Sequence, residues 1–242
     1  MILGRRGDRP LVVGHRGAAG LAPENTLESL AAAVEASADV VEFDVGRPRQ
    51  GGALVLAHSA TEVPARAALL DEALGYLASE PVVVHVDLKL IGIEAEVADA
   101  LRRHGLAGRA YVSSTWARSL RRLEAVAPEL ERAIGYPRDT YGAGSLPWPR
   151  PVSEAGAAAL RAAMPLRVPL LLRSARAGVL ALHHALVSPA VVRATHARDA
   201  GVLAWTANDP ALVGQLAAFG VDAIASDDPR MALETLATLV SP

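Results

Sequence analysis

The chain has 242 residues and a formal net charge of −2, and 51% of its residues are hydrophobic. This length fits one large α/β barrel or two small domains, and the near-neutral charge lacks the basic surface that would predict nucleic-acid binding. Because the sequence contains no cysteine, a disulfide framework and a thiolate metal site are excluded, whereas zinc held by His and carboxylate stays open.

Residues 1–10 precede the first predicted strand and contain no apolar run of signal-peptide length. No later segment reaches the roughly 18 uninterrupted apolar residues expected of a membrane span. These two observations predict a soluble cytoplasmic protein without stable membrane insertion.

The first half of the chain alternates short apolar runs with segments of helical periodicity. Runs rich in valine and leucine predict strands over residues 11–14, 39–45, 53–57 and 81–89. Apolar residues at helical spacing predict helices over residues 27–37, 65–78 and 93–104.

The second half continues this alternation. Strands are predicted over residues 109–114, 131–136, 177–182, 201–206 and 222–225, and helices over residues 118–127, 153–173, 189–200, 211–219 and 230–240. Pro165 and Pro169 are expected to break the helix at 153–173, because proline removes a helical hydrogen bond. Residues 137–151 contain four prolines and Trp148, and we expect a long loop there.

The order of these elements indicates the fold class. Strand and helix alternate about eight times, which is typical of parallel βαβ units and, at this length, of a (β/α)8 TIM barrel. No linker divides the chain, so residues 1–242 are predicted to form one domain. A doubly wound open sheet is the alternative, but the Gly-rich phosphate fingerprint of the dinucleotide-binding version is absent from the sequence.

Two acids interrupt the strand predicted at 39–45. Glu42 and Asp44 are two residues apart, so their side chains point to the same face of the strand. Two like charges on a buried face repel each other and are costly to desolvate, and a divalent cation is the simplest compensation. The alternative is an exposed edge strand whose acids face water.

Polar residues lie at the C-terminal ends of most predicted strands. In a barrel these ends converge on one mouth, where active sites are built. The residues concerned are His15, Arg16, Glu42, Asp44, His58, Asp87, Lys89, Ser113, Ser114, Trp205 and Asp227. Their convergence is the strongest functional signal in the sequence.

These residue types predict metal-assisted cleavage of a phosphodiester. Three carboxylates are enough to hold Mg²⁺ or Ca²⁺ with positions open for water and substrate. Arg16 and Lys89 either pair with the acids or bind the anionic phosphate of a small-molecule substrate. His15 and His58 have a pKa near neutrality when unperturbed, which suits general acid–base catalysis.

The motifs also match a known family. They are His15-Arg16-Gly17, Pro23-Glu24-Asn25-Thr26, Glu42-Phe43-Asp44-Val45, His58, Asp87-Leu88-Lys89, residues 204–208 (AWTAN) and residues 221–227 (VDAIASD). In this combination and order, the chain resembles the glycerophosphodiester phosphodiesterases over about residues 11–229.

The resemblance implies a (β/α)8 barrel that hydrolyses glycerophosphodiesters to sn-glycerol 3-phosphate and an alcohol, with a cyclic phosphate as intermediate. It implies that His15 and His58 are the general acid and base. It further implies that Glu42, Asp44 and Asp87 bind the metal and that Arg16 and Lys89 contact the phosphate. Trp205 would form an aromatic wall for the glycerol.

The sequence departs from the family pattern at four places. Ser59 replaces the usual Asp after the second histidine, which removes one candidate partner of His58. Asp87 replaces a longer Glu, and His85 replaces a common Asn and is a candidate additional ligand or base. The insertion before the third barrel strand is short, since only Ser59–Glu80 lies there, and this leaves the substrate open.

Two other functions therefore stay as alternatives. One is a phospholipase D-like lyase that releases a cyclic phosphate from a lysophospholipid or sphingolipid. The other is a barrel that binds a phosphorylated ligand without turnover. His183 and His184 follow a predicted strand and are weaker candidates for the mouth, and the sequence does not indicate the oligomeric state.

Overall fold

The computed structural model describes residues 8–59, 63, 67–138 and 150–240. Within these ranges the strands are β1 (Leu11–Gly14), β2 (Val40–Gly46), β3 (Val55–Leu56), β4 (Val83–Leu88), β5 (Ala110–Ser114), β6 (Glu131–Tyr136), β7 (Val179–His183), β8 (Gly201–Trp205) and β9 (Ala223–Ser226). The helices are α1 (Leu27–Glu35), α2 (Leu70–Ala78), α3 (Glu94–Arg103), α4 (Ala117–Val126), α5 (Arg150–Ala175), α6 (Pro189–His196), α7 (Pro210–Phe219) and α8 (Pro229–Val240).

The strands form a closed barrel. Neighbours run parallel in the order β1, β2, β4, β5, β6, β7, β8 and β9, and β1 pairs with both β2 and β9 to close the ring. A helix follows each barrel strand along the chain. The predicted (β/α)8 TIM barrel is therefore confirmed.

The strand predicted at 53–57 does not belong to this ring. Only β3 forms there, and it lies antiparallel to the end of β2, with Val45 opposite Leu56. A reversal after β2 in place of a full crossover explains the antiparallel pairing, because parallel neighbours need a long connection.

Helix α5 is continuous, which contradicts the break expected at Pro165 and Pro169. Met164, Val168 and Leu172 recur at helical spacing and are buried against the barrel. Each interior proline costs about 3 kcal/mol, and each of these buried side chains contributes roughly 1.5–3 kcal/mol. Tertiary packing therefore outweighs the local preference.

The described helices include none that is both long and apolar enough to cross a bilayer. Residues 139–149, which include Trp148 in the predicted loop, lie outside the described ranges.

The interior of the barrel is closed by apolar side chains and opens towards the C-terminal ends of the strands. Inward residues such as Leu11, Val13, Val40 and Tyr111 form a buried cluster. Nearer the mouth, β6, β7 and β9 present the small side chains of Gly135, Ala181 and Ala225 to a cavity. These small residues leave space beside the polar residues of β2 and β4.

Candidate active site

The mouth of the barrel holds a cavity of about 500 Å³. Most of the residues predicted for the mouth line it, namely His15, Arg16, Glu42, Asp44, His58, His85, Asp87, Lys89, Ser113 and Trp205, whereas Ser114 and Asp227 do not. The predicted catalytic, metal and substrate residues lie on β2, β4 and β8 or directly after β1, β3 and β4. The barrel thus brings together residues that lie up to 190 positions apart in the chain, between His15 and Trp205.

The three predicted metal ligands lie side by side. Each of Glu42, Asp44 and Asp87 offers a carboxylate oxygen within 4.8 Å of the other two. Parallel pairing of β2 with β4 places Asp44 directly beside Asp87. Glu42 and Asp44 are both buried, so the exposed edge strand considered from the sequence is excluded.

Glu42 is the carboxylate most affected by this crowding. Burial raises its pKa to about 7, and the charges of Asp44 and Asp87 act in the same direction. Its Oε2 accepts a hydrogen bond from the backbone N–H of Arg16 at 2.7 Å. Burial and repulsion from the neighbouring carboxylates thus disfavour the ionised form of Glu42. A bound cation would offset this cost.

Asp44 is held by several donors at once. Its Oδ2 lies 3.0 Å from Asn25 Nδ2 and 3.0 Å from His58 Nδ1, and its Oδ1 lies 2.8 Å from Lys89 Nζ. Burial opposes ionisation of Asp44, but the hydrogen bond from His58 and the charges of Lys89 and Arg16 outweigh it and lower the pKa of this carboxyl. Asp44 is therefore ionised at neutral pH.

Lys89 bridges two of the acids. Its ammonium contacts Asp44 and also Asp87. Burial acts to lower the pKa of Lys89, yet the charges of Asp87 and Asp44 raise it above its ordinary value. Lys89 is thus a fixed positive charge beside the cavity.

The turn after β1 places Arg16 above the same cluster. Gly17 has φ of +83°, and a Cβ there would lie 2.4 Å from Ser29 in α1, so the tight turn requires glycine. Arg16 itself lies in the left-handed region with φ of +51°. Its Nη1 contacts Glu24 at 2.7 Å, and its Nε lies 3.3 Å from Asp44 Oδ2.

Each candidate catalytic histidine has its Nδ1 beside a carboxylate. His15 Nδ1 lies 2.6 Å from Asp227 Oδ1, and His58 Nδ1 lies 3.0 Å from Asp44 Oδ2. Asp44 thus supplies His58 with a carboxylate partner. Since a ring whose Nδ1–H is donated keeps Nε2 as its other functional nitrogen, both rings have Nε2 available for the cavity.

The protonation of His15 reflects its surroundings. Burial acts to lower its pKa, but the hydrogen bond to Asp227 and the charge of Glu42 outweigh burial and raise the pKa from 6.5. Its side chain is 20% exposed, whereas that of His58 is 48% exposed. His15 therefore stays protonated to a higher pH than a free imidazole does.

These residues can be compared with known proteins. The model of the glycerophosphoryl diester phosphodiesterase family matches residues 15–68 and 78–231. The chain belongs to this family. The glycerophosphoryl diester phosphodiesterase family comprises phosphoric diester hydrolases, and the resemblance seen in the motifs is thereby confirmed.

One further relative matches about half of this chain. YqiK of Bacillus subtilis, an uncharacterized protein, is 25% identical over 162 residues, which cover 51% of this chain and 65% of YqiK. This chain thus matches less than two thirds of the length of that relative.

Solved structures share the fold. A glycerophosphodiester phosphodiesterase from Parabacteroides distasonis is similar with a TM-score of 0.74 at 18% identity, covering 97% of this chain and 99% of that one. A phosphodiesterase from Oleispira antarctica, solved with the product sn-glycerol 3-phosphate, has a TM-score of 0.71 at 23% identity, covering 95% and 97%.

The residues present fit the divalent cation on which this family generally depends. The donors are carboxylate oxygens, which hard cations prefer, and they come from two adjacent strands that fix their spacing. Glu42, with its raised pKa, is the group that a cation would relieve of repulsion.

Sequence reasoning missed part of the site. The sequence places Asp227 at the rim but assigns it no role, whereas in the structure Asp227 binds His15 and the neighbouring Asp228 caps α8 through Met231 N–H. The position of Asp227 directly after the last strand, beside β1 in a closed barrel, was the available signal. Trp116 and Arg138 also line the cavity, with the guanidinium 5.6 Å from the indole ring centre.

The paired histidines His183 and His184, at the end of β7, lie next to the site. His183 meets Trp205 edge-on with ring centres 5.1 Å apart and lies 4.2 Å from the ring of His184. Neither histidine is among the residues that line the cavity. His183 thus contacts the indole of Trp205, and His184 packs against His183.

Proposed function

We propose that this protein is a metal-dependent phosphodiesterase that hydrolyses glycerophosphodiesters to sn-glycerol 3-phosphate and an alcohol, with residues 1–242 forming one domain. The observation that carries this proposal is one cavity in which His15 and His58, each held by a carboxylate, accompany three clustered acids. Family membership supports it. The product bound by the Oleispira antarctica relative supports the same substrate class.

Glu42, Asp44 and Asp87 would hold one Mg²⁺ or Ca²⁺, both of which take carboxylate oxygens. When bound, the cation supplies Lewis-acid stabilisation of the negative charge that develops on the phosphoryl oxygens. Asp44 would share its carboxylate between this cation and His58, which contacts Oδ2. The Asp44 carboxylate would thereby link the metal site to the acid–base pair.

His15 and His58 would carry the two proton transfers. His58, through Nε2, takes the proton from a glycerol hydroxyl as that oxygen attacks phosphorus. His15, whose pKa is raised, gives its Nε2 proton to the departing alcohol oxygen. The resulting cyclic phosphate is opened by water with the two roles reversed, as microscopic reversibility allows.

Arg16 and Lys89 would bind the phosphate. Both cations lie beside the carboxylate cluster and both line the cavity. A guanidinium and an ammonium stabilise phosphoryl charge in a site shielded from water. Trp205, which His183 contacts edge-on, would form the wall against which the glycerol packs.

The cyclising lyase remains the second candidate. Only residues 59–82 connect His58 to β4. The side chain of His58 is 48% exposed, and these two features favour a larger, lipid substrate. Such an enzyme would release a cyclic phosphate from lysophosphatidylcholine and would not open it.

One assay separates these functions. Purified protein is incubated with glycerophosphocholine or lysophosphatidylcholine, with Mg²⁺, Ca²⁺ or EDTA, and the phosphorus products are identified by ³¹P NMR. We expect a phosphate monoester from glycerophosphocholine that disappears with EDTA. A cyclic phosphate from the lysolipid alone would favour the lyase, and binding without any product would favour the non-catalytic barrel.

A further inference from the structure

We propose that His85, a buried histidine that the acid–base scheme does not use, is a positioning residue that holds Asp87 through Ser113. This inference deepens the metal-dependent function proposed above and rests on it. The sequence left His85 as a candidate ligand or base. The geometry points to a third role, in which His85 orients a metal ligand that it does not contact.

The strand register creates the arrangement. His85 and Asp87 are two residues apart on β4 and therefore point the same way. Their neighbours on β5 are Tyr111 and Ser113, in the same order. The pairing of two strands thus brings His85, Ser113 and Asp87 onto one inward face.

A hydrogen-bonded chain joins these three side chains. Ser113 Oγ lies 2.6 Å from Asp87 Oδ1, and His85 Nε2 lies 2.7 Å from Ser113 Oγ. An ionised carboxylate only accepts, so the single hydroxyl proton of Ser113 goes to Asp87. Ser113 Oγ must then accept a hydrogen bond from His85, which places the ring hydrogen of His85 on Nε2.

The imidazole itself is rigidly held. His85 is buried and stacks on Tyr111 with ring centres 4.2 Å apart and planes 22° from parallel. His85 Nδ1 has no hydrogen-bond partner among the described residues, which leaves Nε2–H as the working donor.

Asp87 needs this support more than its neighbours do. Glu42 is anchored by a backbone N–H, and Asp44 is anchored by Asn25 and His58. The described hydrogen bonds of Asp87 come from Ser113 and from Lys89, which is a long side chain shared with Asp44. Ser113 is thus the fixed anchor that sets the orientation of the Asp87 carboxylate.

The two carboxylate oxygens of Asp87 have different partners. Oδ1 is taken by Ser113, while Oδ2 contacts Lys89, the cation shared with Asp44. Groups that orient a ligand in this way typically change metal affinity by about 10–100-fold when removed. Losing the donor from His85 would let the Ser113 hydroxyl rotate and would loosen Asp87.

The test measures metal binding without substrate. Mg²⁺ is titrated by calorimetry, and Mn²⁺ by its paramagnetic resonance signal, into the wild type and into His85→Leu, Ser113→Ala and the double variant. We expect each single change to weaken binding about 10–100-fold. The double variant should be no weaker than the weaker single one, because both changes break the same chain.

Matched variants separate positioning from packing. His85→Gln keeps an N–H donor and Ser113→Thr keeps the hydroxyl, so each should restore binding to within about threefold of wild type. Tyr111→Phe removes a buried hydroxyl that has no partner among the described residues and keeps the ring stack, so its affinity should equal that of wild type. Circular dichroism checks that each variant folds.

The results that overturn the positioning role can be told apart from a failure of the proposed hydrolysis. Metal affinities of His85→Leu and Ser113→Ala within twofold of wild type would overturn the positioning role, as would a wild type that binds neither ion. If His85→Gln binds as weakly as His85→Leu, the role is also overturned. If the wild type binds metal but hydrolyses no glycerophosphodiester, the function fails while the positioning role is still decided by the same titrations.

Discussion

Replacing Asp227 by Asn tests the acid–base assignment through a residue that need not touch the substrate. Asp227 lies 2.6 Å from His15 Nδ1 and supports the raised pKa of that ring. Asparagine keeps the size of the side chain but removes its charge. The variant therefore changes the protonation of His15 with little change in packing.

The expected size follows from the hydrogen bond that is weakened. A hydrogen bond to a charged group contributes about 1.5–3 kcal/mol, and the partial exposure of His15 and Asp227 favours the lower end. Because one pH unit corresponds to about 1.4 kcal/mol, the alkaline limb of the kcat–pH profile should move down by about one unit. At pH 8 we therefore expect kcat to fall by up to about 10-fold.

Stability should change with pH in a matching way. The folded-state pKa of His15 is raised above its unfolded value of 6.5, so its contribution is fully present below pH 6.5 and is lost as the pH rises through the folded pKa. Urea unfolding should therefore show Asp227→Asn to be less stable than wild type by about 1 kcal/mol at pH 5.5, with a smaller difference at pH 8.

The neighbouring Asp228 provides the control. It caps α8 through Met231 N–H, and asparagine is an equally good cap, so Asp228→Asn should leave both profiles unchanged. A wild-type alkaline limb and wild-type kcat in Asp227→Asn would refute the assignment of His15 as the group whose protonation limits the reaction.

Three further predictions concern other parts of the site. His15→Ala and His58→Ala should each lower kcat by about 10²–10⁴-fold with an unchanged circular dichroism spectrum. The control His104→Ala lies outside the cavity and should leave kcat unchanged. Near-wild-type activity of either variant would remove that histidine from the acid–base pair. Glu42→Gln should weaken Mg²⁺ binding in calorimetry and raise the Mg²⁺ concentration needed for activity, and an unchanged affinity would contradict its role as a ligand. Gly17→Ala should destabilise the chain by about 1–3 kcal/mol in urea unfolding, because a positive φ and a Cβ 2.4 Å from α1 are both unfavourable; wild-type stability would contradict the tight turn.

The barrel could be predicted because buried parallel strands and the helices between them have distinct patterns of apolar residues. Strands such as β1 and β9 are buried at every position and therefore appear in the sequence as short apolar runs between helices. The continuity of α5 through Pro165 could not be predicted, since it depends on packing against a barrel that is not visible in local sequence.

The residues of the site could be predicted from the sequence, but the contacts between them could not. Glu42 and Asp44 share a face by the alternation of a strand, which is a local rule. The pairing of His15 with Asp227 joins residues 212 positions apart and requires β1 to lie beside β9. The role of His85 depends likewise on the register of β4 with β5, which no single strand reveals.

The most direct test of the central claim is a crystal structure with Mn²⁺ and sn-glycerol 3-phosphate, in which anomalous scattering locates the metal. We predict one peak about 2.0–2.6 Å from oxygens of Glu42, Asp44 and Asp87, with the phosphate between the Nε2 atoms of His15 and His58. A metal peak away from these acids, or a phosphate out of reach of either imidazole, would contradict the mechanism proposed for this barrel.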